Sequence, residues 1–265
     1  MNNHPITLGT RLQTIASFIK EGSVLGDIGT DHAYLPVYLV QRGIINRALG
    51  VDIHEGPYQS ALETVKAYGY HQKIDIRKGN GLLPIEPGEV DFLVLAGMGG
   101  NTILQILGEK KDVLQEVNEL VLQPQGAEGK VRRELLKAGW KIKDELLVEE
   151  DARIYSVIHF SRTEGITFDD VESQVEDLYL KIERHCNAMG EKRVKMILGK
   201  EVWGFGPLIL RNHNCLCRQL FEAQMERRKK VAQEMQQTDR IEVKEKAKEL
   251  FEEITVMEGI RCLFQ

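Results

Sequence analysis

The stretch Ser23-Val-Leu-Gly-Asp-Ile-Gly-Thr-Asp-His-Ala-Tyr-Leu-Pro36 constrains the fold of this chain more than any other. A short apolar run (Val24, Leu25) reaches Asp27, turns through Gly29, Thr30, Asp31 and His32, and enters an apolar segment over 33–40. That is a strand, a tight glycine turn and a helix start, the place where an α/β sheet holds a small ligand. Pro36 suits the first helical turn, where its missing N–H leaves nothing unpaired. A dinucleotide-binding turn needs Gly-x-Gly-x-x-Gly so that the backbone can approach a pyrophosphate. Here Asp31 stands in place of a second glycine, and its carboxylate repels phosphate. The turn suits a cationic ligand, or one with an amine and hydroxyls.

The flanking segments extend this unit into an alternating pattern. Residues 8–20 place Leu12, Ile15, Ala16 and Ile19 on one helical face, and Arg11 lies off that stripe, either at the surface or swung back over the turn. After the turn a helix runs to about Gln41 and ends at Gly43. The strand 47–53 carries Asp52 at its carboxyl end, followed by Ile53, about 25 residues after Asp27. A carboxylate there can accept both hydroxyls of a ribose. A helix from Gly56 ends near Gly69, and a third strand over 74–78 leads into Asn80-Gly81. That small turn either approaches an adenine edge or is a plain Asn-Gly turn.

Val90 to Ala96 is a near-continuous apolar run, as expected of a central parallel strand buried on both faces. It ends in Gly97-Met98-Gly99-Gly100-Asn101, almost without side chains. Either a flat substrate base passes over this turn, or the glycines let the next helix dock tightly. A fifth strand, 120–124, precedes a basic helix start (Lys130, Arg132, Arg133, Lys137). Residues 140–143 and 144–151 read as a strand and an edge segment, and 155–160 as a last, antiparallel edge strand. The fold class is α/β, a doubly wound Rossmann-like sheet of the class I methyltransferase type. S-adenosyl-L-methionine, with a sulfonium, an α-amine and a ribose, suits its acidic turn.

From about Thr163 strong strands disappear. A helix is expected over about 169–190, and Gly204-Phe-Gly-Pro207 breaks the chain. Beyond it, stripes through Leu216, Leu220, Ala223 and through Leu250, Ile254, Met257 predict an appended hairpin of two antiparallel helices. The domains are therefore 1–163 and 164–265. Within the hairpin, Arg227-Arg228-Lys229-Lys230 is either a solvated helix face or a contact for nucleic acid. The net charge of −5 excludes a chain that binds nucleic acid through bulk basicity alone. No apolar run reaches membrane-spanning length, and the N-terminal residues lack the pattern of a signal peptide. Cys215-Leu-Cys217 has no second ligand pair, so no metal is expected, and all four cysteines, Cys186 and Cys262 included, read as reduced, mostly structural thiols of a cytoplasmic protein.

These residues resemble a family. Asp27 to Pro36, Glu55-Gly-Pro-Tyr-Gln-Ser60, Asn80-Gly-Leu82, Ala96-Gly-Met-Gly-Gly100, Leu122-Gln-Pro124 and Phe205-Gly-Pro207 are similar to the bacterial tRNA (adenine-22-N1)-methyltransferases. The resemblance implies S-adenosyl-L-methionine as methyl donor and tRNA as partner. It also implies a methyltransferase domain followed by a coiled-coil-like helical domain that helps hold the RNA. Donor contacts are then expected from Arg11, Asp27, Gly29, Thr30, Asp31 and His32, from Asp52, Ile53, Asn80 and Gly81, and from Ala96, Gly97, Met98 and Gly99. Gly100, Gln123, Pro124 and the cluster 227–230 are expected on the substrate side. The chain departs from the family at Gln125, where asparagine is usual, and at Ser156, where glutamate is usual.

Adenine N1 carries an in-plane lone pair at neutral pH, so positioning is the main task. Asp31 is expected to stabilise the positive charge that develops on the ring, with His32 and Tyr34 orienting or stacking on it. The base must first be extruded from its stack. The alternatives are a methyltransferase on another RNA or a small molecule, and a non-catalytic RNA-binding module; Asp31 disfavours a nicotinamide enzyme. A monomer is favoured.

Overall fold

The computed structural model describes residues 5–237 and 240–264. The chain divides into two compact units, Met1–Ile166 and Thr167–Gln265. In the first, α1 (Thr10–Ser17) leads into β1 (Val24–Ile28), α2 (Tyr34–Gln41), β2 (Arg47–Asp52), α3 (Glu55–Ala67) and β3 (Ile74–Lys78). Then come β4 (Phe92–Met98), α4 (Gly100–Glu109), α5 (Lys111–Glu116), β5 (Glu119–Pro124), α6 (Glu128–Lys137), β6 (Lys141–Glu150) and β7 (Arg153–Ser161). The seven strands form one sheet in the order β3-β2-β1-β4-β5-β7-β6, with β7 antiparallel to both neighbours. Strand order reverses between β1 and β4, which opens a crevice at their carboxyl ends.

The core explains the order. Phe92, Leu93, Val94 and Leu95 of β4 are all buried, since helices cover both faces of the parallel strands. Each such side chain contributes about 1.5–3 kcal/mol relative to exposure. The segments 140–143 and 144–151 form one ten-residue strand, β6, with an irregularity between Ile142 and Asp144. β7, expected at the edge, lies inside the sheet, and β6 takes the edge. Val157, Ile158 and Phe160 fill an internal position, whereas the charges of β6 suit a solvated edge. The short α5 had no counterpart in the sequence pattern.

One residue of the basic helix start is not at the surface. Arg132 and Glu145 are both fully buried and paired at 2.5 Å, and Arg132 also donates to Ser156 Oγ at 2.8 Å. The serine that departs from the family pattern thus serves this internal pair. Replacing Glu145 by Leu removes the carboxylate that pairs with this buried guanidinium, and a loss of about 3–5 kcal/mol is expected in chemical denaturation.

In the second unit, α7 (Phe168–Ile182) begins with a reciprocal cap between Thr167 and Asp170. It ends eight residues before the expected boundary at 190, and α8 (Glu191–Phe205) follows. Gly204 lies inside α8. The break comes at Gly206, whose φ of 110° ends the helix before Pro207 opens α9 (Pro207–Asn212). The helices α10 (Cys215–Gln236) and α11 (Ile241–Cys262) run antiparallel: Phe221 meets Phe264, while Arg228 meets Met257. Among the described residues no helix is long and apolar enough to cross a membrane.

Candidate functional site

The crevice between β1 and β4 is a cleft of about 330 Å³, lined by the turn after β1, the carboxyl end of β4, and Arg11 and Leu12 of α1. The first turn is tied down through its backbone amides, mostly to β2. Gly29 N and Thr30 N donate to Val51 O at 2.8 and 3.1 Å, and Ala33 N donates to Thr30 O at 2.8 Å. Asp31 N donates to Asp52 Oδ2 at 3.3 Å, and His54 N donates to Asp52 Oδ1 at 3.0 Å. A pyrophosphate in such a turn is held by free backbone N–H groups. Here the amides of Gly29, Thr30, Asp31 and Ala33 already have partners. Each oxygen of Asp52 takes one amide and keeps capacity for another donor.

Three of these residues adopt left-handed backbone: Gly29 (φ 74°), Asp31 (φ 53°) and Ala33 (φ 54°). Aspartate tolerates this region, and Ala33 stores strain of about 1 kcal/mol. The coil leaves Asp31, His32 and Tyr34 exposed along the cleft. The His32 and Tyr34 rings stack with centroids 5.2 Å apart and planes 14° apart. Asp31 Oδ1 lies 3.7 Å from His32 Nε2. Below them Asp27 is buried and accepts the Thr30 hydroxyl at 2.6 Å. Burial pushes the Asp27 carboxyl up to about 6; the Thr30 hydrogen bond opposes this, and the Asp52 charge adds to it. A cation entering the cleft would reverse that shift.

The opposite wall is built by long-range contacts. Gln123, expected on the substrate side, is fully buried. Its Oε1 accepts from Gly97 N at 3.1 Å and from an Arg11 terminal nitrogen at 3.0 Å, and its Nε2 donates to Pro124 O. It braces the cleft wall from behind. Arg11 does swing back over the site, held by Glu150 at 3.2 Å and lying over the Tyr155 ring. Sequence reasoning missed Glu150, whose only signal is that β6 ends at this side of the sheet. A Cβ at Gly9 would meet Glu150 Oε1 at 2.5 Å, so the carboxylate would have to shift to admit a side chain there.

The glycines divide by role. Gly97 (φ 76°) and Gly99 are exposed beside the cleft. Gly100, expected at the substrate, is buried, and a Cβ there would meet Gly126 O at 2.5 Å. Its amide donates to that same carbonyl, and Gln125 N donates to Met98 O at 2.7 Å. Gly100 therefore docks α4 against the turn before α6. Gly100→Ala is expected to cost about 1–3 kcal/mol in thermal or chemical unfolding. Gly99→Ala, whose Cβ meets nothing closer than 3.6 Å, should leave stability nearly unchanged.

At the ends of β2 and β3, Asp52, half-exposed Ile53 and exposed Asn80 share one rim. Gly81 turns inward instead, close against the Ile106 side chain.

Residues 8–158 match the family model described as a methyltransferase domain. The chain belongs to the methyltransferase domain family. It is 40% identical over 153 residues to the tRNA (adenine(22)-N(1))-methyltransferase of Bacillus subtilis, covering 58% of this chain and 64% of that one. The matched segment is thus less than two thirds of that relative. A solved, uncharacterised protein of Listeria monocytogenes superposes with a TM-score of 0.80 at 28% identity, over 96% of this chain and 99% of the other. A candidate tRNA (m1A22) methyltransferase of Streptococcus pneumoniae, solved with S-adenosyl-L-methionine, gives 0.75 at 28%, with the same coverage. The resemblance drawn from the sequence motifs holds.

The methyltransferase domain is followed by the helical unit that carries the cluster 227–230. Arg228 pairs with buried Glu201 at 2.6 Å, and Lys229 with Glu258 at 3.1 Å. Their charges are spent within the helices. Arg227 and Lys230 stay exposed.

Proposed function

We propose that this methyltransferase transfers the methyl group of S-adenosyl-L-methionine to N1 of adenine at position 22 of tRNA. The observation that carries the reading is the turn after β1: its backbone amides are occupied, and carboxylates stand where a phosphate would need donors. The similarity to the B. subtilis enzyme supports the tRNA substrate. Asp52 would hold the ribose hydroxyls, Ile53 and Asn80 the adenine, and Asp27 and Arg11 the charged amino-acid end. When bound, the donor supplies an electrophilic methyl on a sulfonium. Adenine N1 needs no base. The His32–Tyr34 stack offers a flat face for an extruded base, and Asp31 stands beside it to balance the charge that methylation places on the ring. Residues 1–163 would do the chemistry and 164–265 would grip the RNA through Arg227 and Lys230, in a monomeric cytoplasmic enzyme.

The reading is tested by incubating the protein with methyl-labelled donor and an unmodified tRNA transcript, then analysing nucleosides by mass spectrometry. Label in 1-methyladenosine is expected. Label in another nucleoside, or none in the RNA, would reject the assignment.

A further inference from the structure

Cations at the carboxyl end of the sheet fall into two groups. Arg11 and Lys78 are neutralised by Glu150 and Glu55, at 3.2 and 2.6 Å. Lys130 is not: on the first turns of α6 it donates to Asn101 Oδ1 at 2.8 Å, a neutral partner. Arg153, first in β7, is exposed and makes no ion pair among the described residues. Topology sets these two on either side of one strand end. β5 pairs with β7 only from Glu119↔Ser161 to Leu122↔Ile158, so Arg153 lies past the carboxyl end of β5. Lys130 follows that same end through the turn at Gln125 and Gly126, which is fastened to Met98 of the cleft wall and to Gly100 at the start of α4.

We propose that this β5 side of the rim, Lys130 with Asn101 and Arg153, seats backbone phosphates of the RNA next to the extruded nucleotide. The proposal rests on the reading of the substrate as RNA. An exposed ammonium and an exposed guanidinium without carboxylate partners match a polyanion, and phosphate contacts fix the register of the RNA without reading its sequence. Their place on a wall bonded to the cleft would fix the backbone relative to the reacting base. A chain with a net charge of −5 needs such local positive ground to attract RNA.

The test measures Kd for an unmodified tRNA transcript by filter binding between about 50 and 200 mM salt, with donor affinity followed by calorimetry. Lys130→Gln and Arg153→Gln should each weaken tRNA binding about three- to tenfold at the lower salt and flatten the log Kd–log salt slope by about 0.7–0.9. The double variant should do both roughly twice over, Lys130→Arg should restore binding, and donor affinity should not move. A double variant with unchanged Kd and slope, in an enzyme whose wild type binds and methylates tRNA, would overturn the proposal alone. A wild type that neither binds nor methylates tRNA would bring down the functional reading and this proposal with it.

Discussion

An Asp31→Asn enzyme is expected to lose about 10²–10³-fold in the rate of methyl transfer while keeping its fold and its donor affinity. Asparagine tolerates the left-handed backbone at this position, and the amide that donates to Asp52 is retained. Only the charge is removed. The Asp31 side chain is 65% exposed, and where water reaches it, water would screen its attraction for a cation. At about 4 Å that attraction is about 1 kcal/mol in water and about 4 kcal/mol once a covering base lowers the effective dielectric. The effect should therefore appear in the chemical step, in single-turnover measurements at saturating donor. A rate within about twofold of wild type, or a loss explained wholly by weaker donor binding, would remove Asp31 from the chemistry.

Asp27→Asn should have opposite effects on stability and binding. In the folded protein burial raises the Asp27 carboxyl to about 6, above the ordinary carboxylate value of the unfolded chain. The neutral form is thus favoured by folding. This contribution is complete at low pH and is lost as pH rises through about 6. Above that pH the wild type carries a buried charge at a cost of about 3 kcal/mol. The donor-free Asn variant should then melt at a higher temperature than wild type at neutral pH, with the gap closing toward about pH 4. Its affinity for S-adenosyl-L-methionine should fall at least tenfold, since the carboxylate that answers the cation is gone. Wild-type affinity should weaken as pH drops below about 6, and the variant's should stay flat. Thermal melts and calorimetry across that range check both arms. A donor-free variant less stable than wild type at neutral pH would show that Asp27 holds the fold rather than a ligand.

What could be read from the sequence was local. The turn at 29–32 announces itself because its residues are consecutive, and Asp52 because strand and helix lengths fix its spacing from Asp27. The other wall is different. Arg11, Gln123 and Glu150 come from three distant segments, and only the strand order brings them together. An edge strand and its internal neighbour likewise look alike until their pairing is known, which is why β7, expected at an edge, lies between β5 and β6 instead. Gly100 differs from Gly97 only in what approaches it, here the carbonyl of Gly126. In the helical unit a run of four basic residues wraps around a helix, so Arg228 turns inward to Glu201 while Arg227 and Lys230 face outward. The helix α8 had no counterpart in the sequence pattern: Gly204 reads as part of a break, yet it and Gly199 both lie within the helix. Its packing through Val194, Ile197, Leu198 and Val202 outweighs their low helix propensity.

The most direct measurement is a paired calorimetric titration of the intact protein with S-adenosyl-L-methionine and with NAD at neutral pH. One site for the sulfonium donor and no heat of binding for the dinucleotide is the expected result. Saturable binding of NAD, with none of S-adenosyl-L-methionine, would contradict the preference for a cationic ligand assigned to the acidic cleft between β1 and β4.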